Sequence, residues 1–121
     1  MKALALCHTG TIDKSGEYVA DSPDELAFLQ FTKKCGMEFT DIDANNVVTL
    51  KNTTASGEEM PEFKLKRVGV CEFTSDRRLS SCIFENDEED TKDEFPYIIY
   101  SKGADGSVKP LLKHYPRNLY V

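Results

Sequence analysis

Two hydrophobic periods alternate along the chain, and the switch between them separates helical ends from a strand-rich middle. Residues 2–8, KALALCH, place Ala3, Leu4, Leu6 and Cys7 at spacings that suggest a helix. That helix has no capping residue before it, as in a cut made inside a longer protein. Residues 9–15 are polar and loop-like, and 17–20 form a short strand candidate. Asp21-Ser22-Pro23-Asp24-Glu25 is a helix start. Ser22 can accept from the N–H of Glu25, and Glu25 can reach back to the N–H of Ser22. Pro23 fits the first helical position, and Asp24 and Glu25 suit the positive end of the helix dipole. Ala27, Phe28, Phe31 and Cys35 follow at helical spacing, and Gly36 ends the helix.

Beyond Gly36 the period becomes that of strands. Residues 37–42 and 46–50 read as short strands, and 52–62 as an exposed loop. A long strand is predicted over 63–73, and its alternation slips near Val68-Gly69, which implies a bulge. Strands over 79–84 and 95–101 flank an acidic loop, 85–94, with the sequence ENDEEDTKDE. A helix is predicted over 103–113, closed by Pro116. There is no internal repeat. The expected class is α+β, a mainly antiparallel sheet flanked by helices.

With 121 residues, 40% of them hydrophobic, the chain can build one domain with a modest core. Its formal charge of −6 opposes nucleic-acid binding and a polybasic membrane role. A nucleotide can still bind where basic residues cluster locally. No run approaches the roughly 20 apolar residues of a membrane span. Residues 1–7 are too short for a signal peptide, so this stretch is expected to be soluble. Cys7, Cys35, Cys71 and Cys82 form no CxxC pair and read as reduced, mostly buried thiols, with no metal site and no disulfide.

Four segments carry candidate chemistry: Cys7-His8-Thr9, Ser22 to Glu25, Glu72 to Arg78, and Lys102 to Asp105. Phe73 beside Arg77-Arg78 suits a heterocyclic base attached to phosphates, with the ring stacking and the cations meeting negative charge. Equally, Phe73 can be the last core residue of its strand and the arginines a solvated turn. Lys102 before Gly103 can place its charge or stem against a ligand that approaches the glycine backbone. The plain alternative is a strand end, a turn glycine and a surface lysine. Glu25 can accept from an exocyclic amine or close the capping box. His8 reads as a satisfied structural histidine.

In this order and spacing, CHT, SPDE, EFTSDRR and KGAD resemble the nucleotide-binding domain of P-type ATPases, in the phospholipid-transporting (flippase) subfamily. The likeness runs from residue 3 to about 112. It implies an ATP-binding domain on the cytoplasmic face of a membrane ATPase, spanning residues 1–121 and cut short at its C-terminal end. Phe73 would stack on adenine, and Lys102 would line the pocket, with Gly103 and Ala104 giving it room. Glu25 would hold the adenine edge, and Thr74, Ser75 and Arg78 would form the rim. Implied partners are ATP, the phosphorylation and actuator domains of the parent, and an accessory subunit.

The parent's magnesium would not be bound by this chain. The DKTGT, TGD and GDGxND segments are absent, and a GLR-type arginine would lie beyond Val121, so no catalytic residue is expected here. Where the family pattern continues R-M-S-V, this chain reads Leu79-Ser80-Ser81-Cys82. The serine at the methionine position keeps open a second reading, a same-fold interaction domain that has lost nucleotide binding. A stand-alone nucleotide hydrolase lacks any activated nucleophile in this sequence.

Overall fold

The computed structural model describes residues 2–113. In chain order the elements are α1 (Lys2–Leu6), β1 (Thr11–Ile12), β2 (Tyr18–Val19), α2 (Pro23–Lys34), β3 (Met37–Ile42), β4 (Val47–Asn52), β5 (Phe63–Cys71), β6 (Leu79–Glu85), β7 (Tyr97–Gly103) and α3 (Asp105–Val108). A 3₁₀ turn, Lys109–Leu111, follows α3. Strands β3 to β7 form one antiparallel sheet in sequential order, and β1 pairs with β2 in a separate ribbon. The architecture is α+β, as the hydrophobic periods imply.

The core lies between one face of this sheet and the two N-terminal helices. Ala5 and Leu6 of α1 and Leu29 of α2 meet Phe39, Val48, Leu50, Leu65, Cys82 and Phe84. Fully burying a side chain the size of Leu29 or Phe84 contributes roughly 1.5–3 kcal/mol. On the opposite face of β7, Tyr97 and Ile99 are exposed.

Local chemistry explains several boundaries. Ser22 Oγ accepts from the N–H of Glu25 at 3.1 Å and caps α2, with Pro23 at its first position. Gly36, at φ 91°, terminates it. The bulge expected near Val68-Gly69 is present, as a register shift between Arg67 and Gly69 against β6. A second bulge, between Phe39 and Asp41, had no visible sequence signal.

The structure also departs from expectation. Residues 9–15 are not all loop, because Thr11–Ile12 pairs with Tyr18–Val19. Helix α2 buries Leu29 and Thr32, while Phe31 faces outward and Phe28 stays partly exposed. Helical spacing fits either set, and contact with α1 and β3 selects the first. Cys7 and Cys82 are buried as expected, but Cys35 and Cys71 are exposed. The predicted helix over 103–113 is the shorter pair α3 and 3₁₀ turn, and Pro116 lies outside the described residues.

Candidate functional site

A cleft of about 810 Å³ opens where the N-terminus of α2, the end of α1 and the ends of β5, β6 and β7 meet. That volume is in the range of small-molecule sites. It joins residues from all four sequence segments, including Cys7, Glu25, Phe73 and Lys102.

Glu25 and Lys102 define its polar pole. The capping box closes from one side only: Ser22 caps Glu25, while the Glu25 carboxylate turns to Lys102, with Oε1 3.6 Å from Nζ. Each side chain is only 17% exposed. Lys102 Nζ also sits 5.4 Å from the centre of the Phe28 ring. Glu25 Oε2 and Lys102 Nζ are buried without a hydrogen-bond partner. Leaving such groups unsatisfied costs on the order of 1–3 kcal/mol each, which a ligand's polar edge can relieve. Lys102 is therefore no free surface lysine; it lies inside β7, opposite Ser80.

Phe73 defines the aromatic pole. It follows the end of β5, lines the cleft and is 60% exposed. This excludes its alternative reading as a core residue. An exposed ring at the mouth of a cleft offers a π face to a planar heterocycle.

After Phe73 the chain turns away. Thr74 Oγ1 accepts from the N–H of Arg77 at 3.2 Å, and the Thr74 carbonyl accepts from the N–H of Arg78 at 2.8 Å. Arg78 takes a left-handed conformation, φ 53°. Its carbonyl accepts from the N–H of Ala104 at 3.1 Å, tying the turn to the end of β7. The Arg77 guanidinium donates to the Glu72 carbonyl at 3.2 Å.

The floor is built on His8, Cys7 and Cys82. His8 is buried; its Nδ1 accepts from the N–H of Gly10 at 3.0 Å, so its Nε2–H donates to the Ala5 carbonyl at 2.9 Å. Burial, with Lys102 and Arg67 nearby, lowers its pKa to about 4. It is the satisfied structural histidine expected. Arg67 Nη1 donates to the His8 carbonyl at 3.0 Å, clamping this segment to the sheet. Cys7 Sγ donates to the Ser80 carbonyl at 3.5 Å, and Cys82 Sγ to the His8 carbonyl at 3.7 Å. The adjacent Cys82 side chain lowers the Cys7 pKa to about 7 against the opposing effect of burial, with help from the charge of Lys102.

Of the eight residues singled out from the sequence, the structure gathers Glu25, Phe73, Lys102, Gly103 and Ala104 around the cleft, while Thr74, Ser75 and Arg78 do not line it. Gly103 has a packing reason to be glycine: a Cβ there would run into the Arg78 carbonyl and the Leu79 side chain. Phe28 and Ser80 line the cleft without having been singled out as site residues. For Phe28 a signal existed, since it stands one helical turn after Glu25. Among the described residues no group of three His, Cys, Asp or Glu side chains converges on a metal position.

The family model described as P-type ATPase, cytoplasmic domain N, matches residues 1–114. Phospholipid-transporting ATPase 10 of Arabidopsis thaliana is 34% identical over 109 residues, covering 86% of this chain. Phospholipid-transporting ATPase DRS2 of Saccharomyces cerevisiae is 37% identical over 106 residues, covering 84%. Phospholipid-transporting ATPase 11C of Mus musculus is 29% identical over 121 residues, covering 91%. The chain spans only 8%, 7% and 10% of these three relatives.

Proposed function

The chain belongs to the family of P-type ATPase cytoplasmic N domains, and from that premise we propose that its cleft binds ATP for a phospholipid-transporting pump. The observation that carries this reading is the pairing of two poles in one cleft: the exposed ring of Phe73, and the buried, unsatisfied Glu25 Oε2 and Lys102 Nζ. A purine suits both. Its face stacks on Phe73, and its polar edge offers an exocyclic N–H to the Glu25 carboxylate and ring nitrogens to the Lys102 ammonium.

Electrostatics orient the ligand. Asp21, Asp24, Glu25 and Glu72 line the cleft with Lys102. Such a lining repels a triphosphate, so the base enters and the phosphates point outward. Outside, the γ-phosphate is left free to meet an aspartate on a separate domain, where magnesium would supply charge neutralisation of the phosphates. In-line transfer needs an acceptor and a metal aligned with that phosphate, which falls to the phosphorylation and actuator domains. The base is thus this chain's share of the work.

Amide NMR shifts during an ATP titration test the reading. A base stack and one polar pair support a dissociation constant of about 1 mM, roughly −4 kcal/mol. Localised shifts around residues 25, 73 and 102, with no steady phosphate release from the chain alone, are expected. An absence of localised shifts at millimolar ATP would contradict nucleotide binding and favour the same-fold interaction domain, whose cleft carries Ser80 in its lining.

A further inference from the structure

Two thiols sit together on the floor of the cleft, brought there from positions 7 and 82. Their hydrogen bonds interlock. Cys7 Sγ donates to the carbonyl of Ser80, two residues before Cys82 on β6, and Cys82 Sγ donates to the carbonyl of His8, the residue after Cys7. The segment after α1 and strand β6 are thereby tied together, with the Cys7 and Cys82 side chains as neighbours. Arg67 holds the same His8 carbonyl, so the segment has little freedom to part from the sheet. No disulfide joins them; both are free thiols.

We infer that Cys7 and Cys82 form a peroxide-oxidisable dithiol site inside the cleft, with Cys7 as the attacking thiol and Cys82 as the resolving one. Their surroundings differ in the required sense. The neighbouring Cys82 side chain and the field of Lys102 favour the Cys7 thiolate. The neighbouring Cys7 side chain and burial push the Cys82 thiol up, so it keeps the proton that it donates to the His8 carbonyl. Cys7 is 1% exposed but lines the cleft, so a small oxidant can reach it through the nucleotide site better than a bulky one.

The chemistry balances in two steps. The Cys7 thiolate attacks one oxygen of hydrogen peroxide, the O–O bond breaks, and hydroxide leaves, giving a sulfenic acid at Cys7. The Cys82 sulfur then attacks the Cys7 sulfur, the S–O bond breaks, and the departing oxygen takes protons to leave as water. Two thiols and one peroxide give one disulfide and two waters. A thiol reductant reverses the closure by exchange.

Because exposed Cys35 and Cys71 would also react, the test uses the Cys35→Ser/Cys71→Ser protein. After peroxide, unfolding and alkylation, mass spectrometry should show both remaining thiols lost together, with a peptide linking Cys7 to Cys82 that a reductant releases. Adding Cys82→Val should abolish the link and drive Cys7 to sulfinic acid instead. Two unreacted thiols under peroxide that oxidises Cys35 of the wild type would overturn the proposal, as would a wild-type link from Cys7 to Cys71. Shielding by ATP rests on the nucleotide reading: ATP at about ten times its dissociation constant should slow closure about tenfold. If the link forms at the same rate with and without ATP, the dithiol stands and the nucleotide reading loses this support.

Discussion

The floor and the rim of the cleft are made differently. On the floor, His8, Cys7 and Cys82 are buried; the His8 ring bonds locally to Ala5 and Gly10, while Cys7, Cys82 and the His8 carbonyl tie the end of α1 to the sheet. At the rim, Phe73 is 60% exposed, and the turn that leads away from it, Thr74 to Arg78, is held by the Thr74 hydroxyl and carbonyl and by the end of β7. Substitution on the floor must therefore change stability, whereas substitution at the rim is free to change binding alone. Glu25 and Lys102 stand between, mostly buried yet incompletely paired.

The largest effect should come from His8. Its folded pKa is lowered from 6.5 to about 4, so the unfolded chain binds more protons between these values. Stability then falls as pH drops from 6.5 through about 4 and levels off below, by about 3 kcal/mol in all. Chemical denaturation across pH, wild type minus His8→Gln, isolates this slope from the titrating carboxylates. An unchanged slope in the variant would place the acid sensitivity elsewhere.

Next comes Gly103→Ala, whose new Cβ meets the Arg78 carbonyl and Leu79. A loss of about 2 kcal/mol is expected in thermal melts. Gly106→Ala is the control, because nothing stands within 4 Å of its Cβ. Equal melting of the two variants would show that the end of β7 yields easily.

Between floor and rim, Lys102→Met leaves the Glu25 carboxylate mostly buried and unpaired. A double-mutant cycle with Glu25→Gln should give a coupling of about 1 kcal/mol, discounted for partial exposure. Additive losses would mean that the 3.6 Å approach contributes nothing.

The smallest effect belongs to the acidic loop. Asn86 anchors it, donating from Nδ2 to Thr91 Oγ1 at 3.0 Å and to the Phe95 carbonyl at 2.7 Å. Replacing 87–94 with a short Gly/Ser turn, keeping Asn86, should shift stability by about 0.5 kcal/mol or less and leave ATP binding intact. A large loss of affinity would give the loop a contact with ligand.

What could be read from the sequence was local. The start of α2 was legible because Ser22, Pro23, Asp24 and Glu25 act on the nearest backbone groups. The slip at Val68-Gly69 was legible because a bulge breaks alternation. The partner of the Glu25 carboxylate was not, since Lys102 comes from the far end of the chain and only the closed fold sets one against the other. The exposure of Phe28 and Phe31 was equally hidden, because α2 carries apolar residues on two faces. Arg78 does not line the cleft, and its left-handed backbone is a geometry that a run of charged residues does not advertise. For Phe73 the sequence left stacking and core packing open, and its exposure removes the second.

That exposure makes Phe73 the sharpest test of the central claim, that the cleft holds the base of ATP. The measurement is an ATP titration of wild type, Phe73→Ala and Phe73→Tyr, with thermal melts in parallel. Base–aromatic stacking contributes roughly 1–3 kcal/mol. Phe73→Ala should melt with the wild type and lose at least about fivefold in affinity, while Phe73→Tyr keeps the π face and most of the binding. A folded Phe73→Ala protein that binds ATP as well as wild type would contradict the account, because the adenine would then sit elsewhere.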